Sequence, residues 1–107
     1  MPVDLSELVV FAEGLDHPEG VTVTADGRLF AGGEAGQVYR IDLETGKFDE
    51  VAGTGGFLLG LCADGRGRLY CCDIKRRELL RVDPETGEVA VHSDGTSDRS
   101  MINPNWP

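Results

Sequence analysis

Gly27-Arg28-Leu29-Phe30 returns forty residues later as Gly67-Arg68-Leu69-Tyr70, and Asp42-x-Glu44-Thr45-Gly46 returns after forty-one as Asp83-Pro84-Glu85-Thr86-Gly87. Around these anchors each copy repeats one order of signals: a short apolar run, an Asp-Gly turn, a second run, a small or polar loop, a third alternating run, a Glu-Thr-Gly turn and a fourth run. Four strands per copy follow. The first copy predicts strands over Val21 to Thr24, Arg28 to Gly32, Val38 to Asp42 and Lys47 to Val51. The second predicts them over Leu61 to Ala63, Arg68 to Asp73, Leu79 to Val82 and Glu88 to Val91. Asp26-Gly27 is read as a tight hairpin with positive φ at its centre, and Asp64-Gly65 as the start of a slightly longer one. No segment carries helical periodicity over ten or more residues.

A period of about 40 to 45 residues with four antiparallel strands is the mark of a propeller blade, whose sheet packs face to face on its neighbours. The competing architecture is a small two-sheet sandwich. It asks for one wet face on each sheet, whereas Leu58-Leu59-Gly60-Leu61-Cys62-Ala63 is apolar or small throughout. The expected fold is therefore all-β, a β-propeller cut to two blades by a length of 107 residues. The expected boundaries are a first blade over 17–53, a second over 57–95 and the start of a third over 103–107. The glycine-rich Gly53-x-Gly55-Gly56 opens no helix and is read as the crossover between blades.

Composition narrows the partners. Apolar residues at 40% and charged residues at 27% are the balance of a folded chain. A net charge of -9 without a basic stripe argues against nucleic acid. The one cationic cluster, Lys75-Arg76-Arg77, is followed by Glu78 and reads as a solvated loop. No apolar run approaches the roughly 18 residues of a membrane span, and no basic segment followed by an apolar stretch directs export. The three cysteines, with no Cys-x-x-Cys, read as small buried hydrophobes in a reducing compartment, so a cytoplasmic location is expected.

Gly14-Leu15-Asp16-His17-Pro18-Glu19-Gly20-Val21 resembles the opening of the SMP-30/gluconolactonase/regucalcin-like lactonases. The resemblance continues through Gly32-Gly33-Glu34-Ala35-Gly36-Gln37-Val38-Tyr39-Arg40-Ile41-Asp42, Leu58-Leu59-Gly60-Leu61 and Asn103-Pro104-Asn105-Trp106. It implies a six-bladed parent of which this chain is about the first third, a divalent cation at the central channel, and hydrolysis of a sugar lactone or similar ester. Calcium is the first expectation, with zinc or magnesium as alternatives. It also implies that residues 8–12 are the outermost strand of the last blade, closing the ring.

Glu19, Leu59 and Asn105 stand at equivalent repeat positions, at the strand ends that converge on a propeller axis. Read without the resemblance, Glu19 is first a loop glutamate exposed to water, and Asn105 is equally a turn residue between Pro104 and Pro107. With it, Glu19 becomes a metal ligand, a hard oxygen donor of the kind calcium takes. Asn105 becomes a substrate-binding amide with both a donor and an acceptor. Trp106 stands where the family's commonest pattern has aspartate, and is placed with the substrate as a stacking surface or under the blade as packing.

Lactone hydrolysis needs a Lewis acid and a general base, and the base is expected beyond Pro107. The 107-residue chain alone is thus expected to be inactive and to self-associate through open blade edges. His17 reads as a capping or surface residue and His92 as a residue of the blade's outer edge. Ser93 and Ser97 lack a neighbouring base. Two rival readings remain: a strictosidine synthase-like propeller enzyme, and a binding or scaffolding propeller without catalysis.

Overall fold

The computed structural model describes residues 2–107 and contains two four-stranded antiparallel sheets, each a run of consecutive hairpins. The first holds β1 (Val21–Val23), β2 (Leu29–Gly32), β3 (Gln37–Ile41) and β4 (Phe48–Gly53). The second holds β5 (Leu58–Ala63), β6 (Leu69–Asp73), β7 (Glu78–Val82) and β8 (Val89–Ser93). The expected eight strands are present. β5 begins three residues earlier than expected because Leu58 pairs with Asp73. No described helix is long and apolar enough to cross a membrane.

Strand alternation gives each sheet two faces. In the first, Phe30 and Val38 point one way, while Val21, Val23, Ala31, Tyr39 and Ile41 point the other. In the second, Leu61, Leu69, Cys71, Leu80 and Val82 share one face, and Cys62, Tyr70, Cys72 and Leu79 share the opposite one. Phe30, Val38 and Ala52 meet Leu58, Leu61, Leu69, Cys71 and Val82 in a single buried cluster between the sheets. The sheets thus pack as adjacent propeller blades. Neither would bury an apolar face alone.

The inner turns differ from the expected pair of unequal hairpins. Residues 24–28 and 64–68 form the same five-residue turn. The N–H groups of Thr24 and Asp64 donate to the carbonyls of Arg28 and Arg68, both at 2.9 Å. Only the fourth residue of each, Gly27 and Gly67, has positive φ, at 85° and 79°. Thr24 Oγ1 and Asp64 Oδ1 occupy the same place and accept the N–H of Arg28 and Arg68, both at 3.0 Å. A hydroxyl and a carboxylate therefore do one job in two repeats.

The crossover over residues 54–57 is held from below by a residue that nothing in the sequence singled out. The Asp73 carboxylate, fully buried, accepts from Thr54 Oγ1 at 2.7 Å, from the Phe57 N–H at 3.0 Å and from the Arg76 N–H at 2.9 Å. Its oxygens fill the space where a Cβ on Gly56 would stand. The cationic cluster is consequently only partly a solvated loop. Lys75 and Arg77 are exposed, but Arg76 turns inward and donates to the Thr54 carbonyl at 3.0 Å while pairing with Glu78 at 3.2 Å.

The two ends carry no strand. Residues 8–12 form no strand. A strand needs a ladder partner, and this arm instead runs from a short 3-10 turn (Leu5–Glu7) to the β3–β4 turn. There the Phe11 carbonyl takes the place of a Cβ on Gly46. Residues 103–107 also form no strand, yet the Gly60 N–H donates to the Asn105 carbonyl at 2.7 Å, which lays this segment beside β5.

Candidate channel site

The site is assembled by two close approaches of the kind only glycine permits. Gly20, just before β1, is buried, and a Cβ there would lie 2.6 Å from the Leu59 carbonyl and 2.8 Å from Leu61 Cδ2. Gly60, its repeat counterpart within β5, would place a Cβ 2.6 Å from the Asn105 carbonyl and against the Trp106 ring. The backbones of Glu19-Gly20, Leu59-Gly60 and Asn105-Trp106 therefore lie side by side in succession. The order in space is the order of the repeat.

Glu19 and Asn105 are both exposed, Leu59 is half-buried between them, and Trp106 is 66% exposed. The indole touches the second blade at Gly60 and leaves most of its surface in solvent. Glu19 belongs to none of the ion pairs among the described residues. A free carboxylate and an amide oxygen are hard donors suited to calcium or magnesium, though two are well short of the six to eight oxygens that calcium takes. They fit part of a cation site.

The loop carrying Glu19 is anchored by its neighbours. Asp16 Oδ2 accepts from the Ala35 N–H at 3.2 Å and from Gln37 Nε2 at 3.1 Å, and the Asp16 N–H donates to the Tyr39 hydroxyl at 3.2 Å. His17 Nδ1 lies 3.0 Å from Asp16 Oδ1 and 2.9 Å from Glu34 Oε2. These three donor groups gather within 4.8 Å at the surface. His17 is thus an exposed ion-pair partner, with a positive φ of 41°. The constellation was missed in the sequence because Glu34 lies seventeen residues from His17 and carries no motif with it.

The hydrogen bond to Asp16, then the charges of Glu34 and Asp16, raise the His17 pKa above its ordinary value of 6.5. The hydrogen bonds from His17 and then Gln37 lower that of Asp16 below 3.8. The raised imidazole contributes stability that is full below pH 6.5 and lost as pH rises through its folded pKa. The depressed carboxylate contributes above pH 3.8 and loses it as pH falls. In an NMR titration His17 should show a midpoint above 6.5 that drops back in Asp16→Asn. A midpoint at or below 6.5 would refute the pairing.

Cys71 and Cys72 are poor nucleophiles. Burial pushes the Cys71 thiol up to about 12, Cys72 is buried and also raised by burial, and Cys62 is half-buried. His92 is exposed on the outer strand of the second blade and packs edge-on against Tyr70, with ring centroids 5.0 Å apart.

Among solved structures, the chain is similar to a gluconolactonase from Xanthomonas campestris, with a TM-score of 0.76 and 22% identity over 90% of this chain and 32% of that one. It is also similar to virginiamycin B lyase from Staphylococcus aureus, with a TM-score of 0.68 and 18% identity over 85% and 30%. A third similar structure is the PQQ-bound aldose sugar dehydrogenase of Streptomyces coelicolor, with a TM-score of 0.60 and 20% identity over 94% and 31%. The chain spans about a third of the length of each. A family model described as strictosidine synthase-like, N-terminal, matches residues 4–41, less than half of the chain. No curated protein matches it. These likenesses establish the fold, part of a β-propeller, and the three solved relatives carry three different activities on it.

Proposed function

We propose that these blades are the N-terminal part of a metal-dependent lactone hydrolase acting on a sugar lactone or similar ester. The observation that carries the reading is the succession Glu19, Leu59, Asn105 on adjacent inner segments, with a free carboxylate and an amide exposed on either side of Leu59. Glu19 is the ligand offered to a divalent cation, calcium first and zinc or magnesium as alternatives. A bound cation supplies Lewis acidity toward an ester carbonyl. Asn105 holds the substrate by its amide, and the exposed Trp106 ring offers it a stacking surface. The general base and further ligands belong to blades outside these residues, so the 107-residue chain by itself turns over no lactone. The same reading assigns a cytoplasmic location, in keeping with three free thiols.

In a polypeptide that carries these blades within a full ring, Glu19→Gln should weaken divalent-cation affinity in calorimetry by at least about ten- to a hundredfold. That is the range lost when even an outer partner of a metal site is removed. Lactone hydrolysis should fall with it. Unchanged affinity and unchanged turnover would end the proposal.

A second reading, a strictosidine synthase-like propeller enzyme, is favoured by the family model over residues 4–41. An enzyme of that kind would retain its activity in Glu19→Gln and bind no stoichiometric cation through this residue.

A further inference from the structure

Asp16, His17 and Glu34 bring one imidazole nitrogen and two carboxylate oxygens together beside the loop that carries Glu19. His17 Nδ1 stands between the two acids, 3.0 Å from Asp16 Oδ1 and 2.9 Å from Glu34 Oε2. The three atoms lie within 4.8 Å of one another, and among the described residues no other group of His, Cys, Asp and Glu side chains converges in this way. Nδ1 carries at most one hydrogen, which cannot serve two carboxylates at full strength. Even with the imidazole charged, the two acids leave an excess of negative charge. The donors are also held from outside the cluster. Asp16 Oδ2 accepts from the Ala35 N–H at 3.2 Å and from Gln37 Nε2 at 3.1 Å, which turns Oδ1 toward His17. The Glu34 N–H donates to the Asp16 carbonyl at 3.0 Å and so keeps the two segments side by side.

We infer that Asp16 Oδ1, His17 Nδ1 and Glu34 Oε2 bind a divalent transition-metal ion of the zinc class, the ion taking the place of the shared hydrogen. Zinc holds imidazole nitrogen at about 2.0–2.1 Å and carboxylate oxygen at about 2.0–2.2 Å, so the ligand atoms of a tetrahedral site stand about 3.3 Å apart. The two spacings to Nδ1 fall slightly short of that, and small rotations of exposed side chains open them. The donor set selects the ion. Imidazole suits zinc, copper and nickel, whereas calcium takes six to eight oxygens. The His17 side chain is 80% exposed, which leaves an entry path and a fourth position for water.

This site shares no ligand with the channel and does not rest on the lactone-hydrolase reading. Asp16 and His17 belong to the segment that leads into β1, and Glu34 belongs to the loop between β2 and β3. An ion between them straps that segment to the sheet by coordination bonds, where exposed ion pairs in water hold it only weakly. Glu19 follows His17 across Pro18, so its approach to β1 is fixed by the same strap.

Calorimetry of the 107-residue chain with zinc chloride should give one site, and cobalt(II) should compete for it without a sulfur-to-metal charge-transfer band. His17→Gln and Glu34→Gln should each weaken zinc at least about tenfold, the loss seen when even an outer partner of a metal site is removed. Both side chains are exposed, so neither change disturbs the core. His92→Asn, at the only other histidine, should bind as wild type does. Zinc should raise the urea midpoint of the wild type and leave that of Glu34→Gln unmoved. Zinc affinity unchanged in both variants would overturn the inference, and a thiolate band would overturn it by putting the ion on the cysteines. Binding lost in Glu19→Gln but kept in Glu34→Gln would overturn it by placing the ion in the channel, while leaving the proposed function standing.

Discussion

Asp73→Ala should cost the chain about 4 kcal/mol in equilibrium urea unfolding, because two half-buried backbone N–H groups and a hydroxyl lose the buried carboxylate that accepts them, and each costs about 1–3 kcal/mol unsatisfied. The Phe57 and Arg76 N–H groups donate to one carboxylate oxygen and the Thr54 hydroxyl to the other. Gly56 lies directly against the carboxylate, so the whole crossover rests on this one side chain. Asp73→Asn keeps the volume but turns an amide donor toward groups that are themselves donors, and should fall between wild type and alanine. Thr54→Val removes only the hydroxyl bond and should cost about 1 kcal/mol. An alanine variant within 1 kcal/mol of wild type would mean that the crossover is held by something else.

The second large effect separates two glycines that look equivalent in the repeat. Gly20→Ala should destabilise by about 2–3 kcal/mol, the cost of forcing an extra methyl group into a packed interior. Gly60→Ala should cost less than about 1 kcal/mol, because its obstruction can move away. At Gly20 the obstruction is the backbone of β5, fixed in the sheet and in the core between the blades. At Gly60 it is the segment 103–107, outside any strand and tethered by the Asn105 bond. Neither glycine has positive φ, so the difference is steric alone. Parallel unfolding curves giving equal costs would show that the tail is held as firmly as β5.

Legibility followed the sequence distance of the partners. The Asp42 carboxylate accepts the N–H groups of Glu44 and Thr45 at 2.8 and 3.0 Å, and Asp83 does the same for Glu85 at 2.9 Å. Such turns close within three residues and repeat, so the strand count and the hairpin order could be read directly. The expected channel position of Glu19 followed from counting repeats. The roles of Asp73, Arg76 and Asp16 could not be read in the same way. Each has at least one decisive partner sixteen or more residues away that shares no pattern with it. The strand expected over 8–12 came from the resemblance to a closed ring, and none forms here because no second backbone among the described residues pairs with it. Side-chain pattern is local, whereas a ladder requires a second backbone.

What the sequence by itself determined is the blade: its period, its turns, the alternation that gives each sheet two apolar faces, and the register that places Glu19, Leu59 and Asn105 in one series. These depend on steric and hydrogen-bonding preferences within a few residues. Only the tertiary structure decided which face meets which, that Gly20 must lack a side chain for Glu19 to reach its neighbours, and that Trp106 stands in solvent. Those outcomes depend on close packing between segments about forty residues apart, where a tenth of a nanometre decides whether two backbones can meet.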